Sequence, residues 1–177
     1  MNVGQPLVSI TQNHRLFLRA DVSEKHYNLL PTLTSANFRT PYQPEVYMLK
    51  ELNGKLLSYG KASDSNGYYV PITFEFDNRG NIIPGSYVEV FLLGSPMDQT
   101  ITLPRTAITE EQGNFFIYQQ VHNDYYQKKP VKLGSDNGES VQIISGIQEG
   151  DRVVMKGAYQ VKLAGATNAI PAHSHEH

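Results

Sequence analysis

Three histidines close this chain. His173, His175 and His177 alternate with Ser174 and Glu176. In an extended segment, residues two apart face the same way, so the three imidazoles share a side. Such a set captures a borderline or soft divalent cation such as Zn²⁺, Cu²⁺ or Ni²⁺, and Glu176 adds an oxygen donor. Short histidine tracts are a compositional signal only, and the bland alternative is a solvated tail that takes up metal adventitiously. His14, His26 and His122 are scattered and read as surface or turn residues.

The remaining candidates for chemistry thin out on inspection. Asp64-Ser65-Asn66-Gly67 and Asp136-Asn137-Gly138-Glu139 faintly resemble calcium loops. Neither has the spacing or the closing bidentate Glu of an EF-hand, and turns explain both. No G-x-S-x-G is present, and no pair of carboxylates stands in a catalytic setting. Tyr125-Tyr126 beside Lys128-Lys129 suggests base stacking plus phosphate contacts. The chain has 15 Lys+Arg against 17 Asp+Glu, a formal net charge of -2, which disfavours nucleic acid and makes that segment an exposed loop. With no cysteine, disulfides and thiolate catalysis are excluded. That suits a reducing compartment, or an exported domain whose core needs no staples.

The elements that must position these residues are strands. Leu16, Leu18, Ala20 and Val22 share one face, with Arg15, Phe17, Arg19 and Asp21 on the other. Ile72, Phe74 and Phe76 alternate with Thr73, Glu75 and Asp77, and Val88, Val90 and Leu92 with Tyr87, Glu89 and Phe91. Period-2 alternation predicts half-buried antiparallel strands. Pro84-Gly85 predicts a turn between the last two. Further strands are expected over 46–49, 56–59, 101–103, 115–121 and 131–133. Asn53-Gly54, Asn66-Gly67 and Asn137-Gly138 each predict a hairpin, because both residue types tolerate positive φ. One short helix is expected over 23–30, capped by Ser23, ended by Pro31, with Tyr27 and Leu30 packed inward.

The segment 141–157, VQIISGIQEGDRVVMKG, predicts a strand, a glycine-bracketed turn at Gly146–Asp151 and a returning strand. It is well patterned and empty of chemistry, which points to a scaffold or docking part. A boundary is expected at Gly94-Ser95-Pro96-Met97, and the end from Ala164 is expected to be disordered. No stretch approaches the ~20 apolar residues of a membrane-spanning helix. The start shows neither a charged nor an apolar leader region, so the chain is expected to be cytosolic or a piece of something longer.

Taken in order, the elements resemble the C-terminal half of a periplasmic adaptor subunit, or membrane fusion protein, of a tripartite efflux pump of the RND type. Residues 4–10, GQPLVSI, look like the closing strand of the family's lipoyl-like domain. Residues 14–22 and 23–30 look like the strand and short helix that open its β-barrel. Residues 68–76 and then IPGSYVEV at 83–90 look like the strand, turn and strand that close it. LPRTAI at 103–108 and IISGIQEGDRVV at 143–154 resemble the family's L/V-P-x-x-A-L/V and I-x-S-G-L-x-x-G-D-x-V-V motifs. The family's helical hairpin, most of its lipoyl domain, its signal peptide and its lipid-anchor cysteine have no counterpart here.

The resemblance implies an all-β fold: a small antiparallel β-barrel with one short helix, then a smaller β-rich membrane-proximal domain. The expected division is a lipoyl remnant at 1–11, the barrel at 12–95, the membrane-proximal domain at 96–166 and a flexible histidine-bearing tail at 167–177. It implies a non-catalytic periplasmic part associated with the inner membrane. Its expected partners are an inner-membrane RND-type transporter, further copies of itself and, through parts absent here, an outer-membrane channel. Arg105, Glu149, Asp151, Arg152 and Lys156 are the expected docking residues. The tail leans toward members that export heavy-metal cations, with Zn²⁺ or Cu²⁺ on His173, His175 and His177. Two rivals stand beside this: a β-sandwich module binding a sugar or peptide in an aromatic-lined groove, and a metallochaperone-like role for the tail.

Overall fold

The computed structural model describes residues 14–60, 68–79, 82–122 and 125–167. The tail histidines, the Asn66-Gly67 turn, the Asp64 loop and the strand expected at 4–10 lie outside the described residues. The chain divides into two compact units, Met1–Pro96 and Met97–His177.

In the first unit, β1 (Arg15–Ser23) leads into a 3₁₀ helix (Glu24–Thr32). Then follow β2 (Ser35–Arg39), β3 (Val46–Met48), β4 (Lys55–Tyr59), β5 (Tyr69–Asp77) and β6 (Glu89–Leu93). The alternation read in β1 and β5 sets their register. Leu16 opposes Phe76, Leu18 opposes Phe74 and Ala20 opposes Ile72, so the apolar sets meet on one face. A one-residue slip would turn every one of them to water, which is why the register is firm. On the outer face the Arg15 guanidinium pairs with Glu75 at 3.2 Å and with Asp77 at 3.7 Å.

The all-β class holds, but the sheet does not close among the described residues. The strands form two three-stranded sheets, ordered β1-β5-β4 and β3-β2-β6, around one core. Phe38 of β2 sits at its centre, stacked on Tyr47 at 5.2 Å and against Phe76 at 5.3 Å. Short strands account for the opening: β3 offers only three residues to a neighbour, and a bulge interrupts the β4 ladder after Leu56. Edges therefore remain, and that of β1 is blunted by Arg15, Arg19 and Asp21.

Three local expectations change here. The helix is 3₁₀ and runs two residues further, with Pro31 inside it. Ser23 makes no side-chain cap, and the first helical N–H, that of Glu24, bonds the Tyr68 carbonyl at 2.9 Å. Leu30 is buried as expected, whereas Tyr27 is 49% exposed. At Asn53-Gly54 there is no hairpin, since β3 and β4 pair in different sheets. The chain instead makes a helical turn in which the Gly54 N–H bonds the Leu49 carbonyl at 2.6 Å, with Asn53 at φ 54°. A Cβ on Gly54 would meet Leu49 Cβ at 2.5 Å, so glycine is required by space.

The second unit holds β7 (Thr102–Pro104), a 3₁₀ turn (Arg105–Ala107), β8 (Thr109–Glu111), β9 (Asn114–His122), β10 (Tyr125–Asp136), β11 (Ser140–Ser145) and helix α1 (Ala158–Thr167). Its five strands form one antiparallel sheet ordered β7-β11-β10-β9-β8. Leu103, Ala107, Ile117, Val131 and Ile143 form its core. The Asn137-Gly138 hairpin forms between β10 and β11. Its turn centres on Gly138 and Glu139, with Gly138 at φ 94° in first place and the Asn137 side chain accepting from the Glu139 and Ser140 N–H groups. Such a turn takes glycine first of the central pair.

Tyr125 to Lys129, expected as a loop, are strand: Tyr126 opposes Gln120 and Lys128 opposes Tyr118. Helix α1, in part expected as a disordered end, is fastened by tertiary contacts. Ala158 is buried, and Lys162 pairs with Glu111 at 3.3 Å and donates to the Glu110 carbonyl. Lys128 also pairs with Glu111 and lies over the Phe116 ring at 4.1 Å. The Glu111 carboxyl is consequently held below the ordinary carboxylate range, chiefly by the Lys128 hydrogen bond and then by Lys162.

Candidate docking surface

The segment 141–157 does not fold back on itself. Both edges of β11 are occupied, one by β7 and the other by β10, so no partner position is left for residues 152–156. They cross to β9 instead. Residue 153 bridges Gln119, the Gln120 N–H bonds the Arg152 carbonyl at 2.8 Å, and the Val154 N–H bonds the Tyr118 carbonyl at 2.9 Å. β8 pairs only with residues 114–116 of β9, and 152–154 continue along the edge that β8 leaves free.

Gly146 makes the departure from β11 possible. It stands at φ 111°, and a Cβ there would press on the Pro130 carbonyl oxygen and lie 2.9 Å from Val131 Cγ1. Only glycine combines this backbone with this approach. Ile147 then packs against the core, and a tight turn follows over 148–151. The Asp151 N–H bonds the Gln148 carbonyl at 3.2 Å, while Asp151 Oδ2 accepts from the Gln148 N–H at 3.0 Å. Asp151 Oδ1 accepts from Gln119 Nε2 at 2.7 Å. Further along, the Thr106 hydroxyl donates to the Met155 carbonyl at 2.8 Å. A stretch with little regular structure is thus held at four places.

The five expected docking residues separate into two kinds. Glu149, Arg152 and Lys156 are exposed and form no ion pair among the described residues. Arg105 is committed to Asp136, and its own N–H bonds the Glu139 carbonyl. Asp151 is half-buried and spends both carboxylate oxygens on the turn and on Gln119. The Thr106–Met155 bond brings Arg105 and Lys156 to neighbouring positions, with Met155 47% exposed between backbone and solvent. Gln119 and Thr106 were not singled out from the sequence. Each acts across more than thirty residues, and no local pattern marks them.

A cleft of ≈ 290 Å³ in the first unit is lined by Arg15, Asn53, Lys55, Glu75, Phe76 and Asp77. Its lining is largely charged, unlike the aromatic groove that a sugar- or peptide-binding module requires. Among the described residues, no group of three or more His, Asp or Glu is placed to hold a metal ion. No helix among them is long and apolar enough to cross a membrane.

The described residues thus give an all-β chain whose second unit carries a pinned, charge-bearing edge. Comparison with known proteins shows what the chain is similar to. Residues 100–165 match the family model described as YknX, C-terminal permuted SH3-like domain. The chain is 25% identical over 173 residues to the multidrug resistance protein MdtA of Pantoea ananatis, covering 95% of this chain and 42% of that protein. It is 25% identical over 166 residues to the efflux pump periplasmic linker BepF of Brucella suis biovar 1, covering 89% and 40%. Among solved structures, ZneB from Cupriavidus metallidurans aligns at a TM-score of 0.41 and 24% identity, over 83% of this chain and 42% of that one. The chain is a relative of the periplasmic adaptors of efflux pumps, the membrane fusion proteins, and corresponds to their C-terminal half. It spans about two fifths of the length of the curated relatives it matches. These are non-catalytic subunits.

Proposed function

We propose that this chain is the part of a periplasmic adaptor that stands against an inner-membrane transporter of the RND type. The whole adaptor, in several copies, would link that transporter to an outer-membrane channel. The contact is assigned to the edge 147–156, through Glu149, Arg152 and Lys156, with Arg105 beside Lys156. One observation carries the assignment: a segment with almost no regular structure is pinned to β9, to the core and to Thr106, yet turns to solvent three charges that form no ion pair among the described residues. Fixed backbone with free charge suits recognition, because little ordering entropy is lost on binding.

The test is charge reversal in the full-length adaptor. Glu149→Lys together with Arg152→Glu and Lys156→Glu should abolish copurification with the transporter and efflux, while amide spectra of the folded chain stay unchanged. Retained copurification and efflux exclude the edge. Cargo is a separate matter. Export of heavy-metal cations rests on His173, His175 and His177 alone. It predicts that Zn²⁺ or Cu²⁺ binds this chain and not one lacking residues 173–177, and that the shortened adaptor exports less metal.

A further inference from the structure

We propose that Gln119 and Asp151 form a latch that positions the docking turn, and that Asp151 serves the contact without touching the partner. The inference rests on the docking reading above and deepens it.

The geometry is specific. The Asp151 carboxylate has two oxygens and two different tasks. Oδ2 closes the turn by accepting from the Gln148 N–H at 3.0 Å. Oδ1 accepts from Gln119 Nε2 at 2.7 Å, a side chain 32 residues away on β9. The first bond shapes the turn, and the second fastens it to the sheet. Hydrogen bonds to an ionised acceptor are the stronger kind, so one carboxylate suffices for both. The backbone bonds Gln120 N–H to Arg152 O and Val154 N–H to Tyr118 O begin immediately after the latch. Without it, the turn would hang between Ile147 and Arg152, and Glu149 at its tip would sample many directions. Glu149, at the tip of the turn, takes its direction from this one carboxylate, while Arg152 is also held by its carbonyl on the Gln120 N–H.

The sequence alone makes Asp151 look like a surface charge available to a partner. Half-burial and two satisfied oxygens argue for a positioning residue. The two roles separate by swapping polarity. Gln119→Glu places a second carboxylate against Asp151 and opens the latch. Adding Asp151→Asn restores it with donor and acceptor exchanged. The new side-chain amide at position 151 donates through its Nδ2 to the new carboxylate at position 119, and its Oδ1 still accepts from the Gln148 N–H. The double variant has the latch and no charge at 151.

Amide hydrogen exchange on this 177-residue chain reads the latch. In Gln119→Glu, the amides of Gln148, Gln120 and Val154 should exchange about tenfold faster, as for loss of one charge-assisted hydrogen bond. In the double variant they should return to the original rates. Equal rates in Gln119→Glu and the parent overturn the latch. Copurification of the full-length adaptor with its inner-membrane transporter reads the role. It should fall in Gln119→Glu and recover in the double variant. Exchange that recovers without copurification makes Asp151 a charged contact and overturns the positioning role. If exchange responds while copurification never changes, the latch stands and the docking reading falls.

Discussion

Replacing Gly146 by alanine puts two separable costs on one residue. The backbone there stands at φ 111°, a conformation that L side chains rarely adopt. Holding a non-glycine residue in such a region costs ~1–3 kcal/mol. The second cost is steric. The new methyl would press on the Pro130 carbonyl oxygen, 2.9 Å from Val131 Cγ1 and 3.0 Å from Val131 Cα. Two of those three neighbours are backbone of β10, the central strand of the sheet, so relief requires moving the ladder. Overpacking of this kind adds ~1–3 kcal/mol. Gly150 is the internal control. It has a similar φ of 93°, and no atom lies within 4 Å of the place a methyl would take. Gly150→Ala therefore meets only the first cost. Urea titration followed by the amide resonances of β11 gives the comparison. With a slope of ~1–3 kcal/mol per molar, the Gly146→Ala midpoint should lie below that of Gly150→Ala by about 1 M. Equal midpoints, or a lower one for Gly150→Ala, would refute the close approach of Gly146 to β10 as the reason for glycine there.

Other consequences are equally direct. Phe38→Ala, at the centre of the first core, should lower the stability of that unit by ~3–5 kcal/mol, seen in urea titration of the β2 amides. Thr40 is buried, and its hydroxyl has no hydrogen-bond partner among the described residues. Thr40→Val should therefore stabilise by ~1 kcal/mol, checked by the same titration, since it removes a desolvated group and keeps the shape. Glu111 has a folded-state pKa below its ordinary value, so its contribution is present above the ordinary carboxylate range and is lost as pH falls through the folded value. Glu111→Gln should lower the urea midpoint of the second unit at neutral pH. The difference from the parent should shrink in high salt and vanish in acid below the folded value.

Much of the first unit was legible where one sheet face meets the core and the other meets water. β1 and β5 alternate by residue type, and their register follows. β2, SANFR, was not legible. It is the middle strand of its sheet, with Ala36, Asn37 and Phe38 all buried, so neither face imposes an alternation. Turns were legible in position and less so in kind. Asn53-Gly54 has the residue types of a hairpin, but strands from different sheets flank it, and pairing is a tertiary fact.

The same limit governed the segment 141–157. The alternation of Arg152 to Lys156 does reflect a partnered stretch. The partner is β9 and not β11, because β7 had taken the free edge of β11. Exposed charges at Glu149, Arg152 and Lys156 were readable from a glycine-bracketed turn. The commitments of Arg105 to Asp136 and of Asp151 to Gln119 were not, since both depend on chain segments about thirty residues away. Helix α1 has no capping signal and a weak apolar pattern. What orders it is Ala158 in the core and Lys162 on Glu111, contacts invisible to local reading.

The central claim is that the edge 147–156 faces the transporter. Site-specific photocrosslinking addresses it most directly. A photoreactive amino acid is placed at Glu149 in the full-length adaptor in cells, with Arg19, exposed on the outer face of β1, as the comparison position. Crosslinks to the inner-membrane transporter from 149 and not from 19 are the predicted result. Crosslinks from 19 with none from 149 would contradict the account.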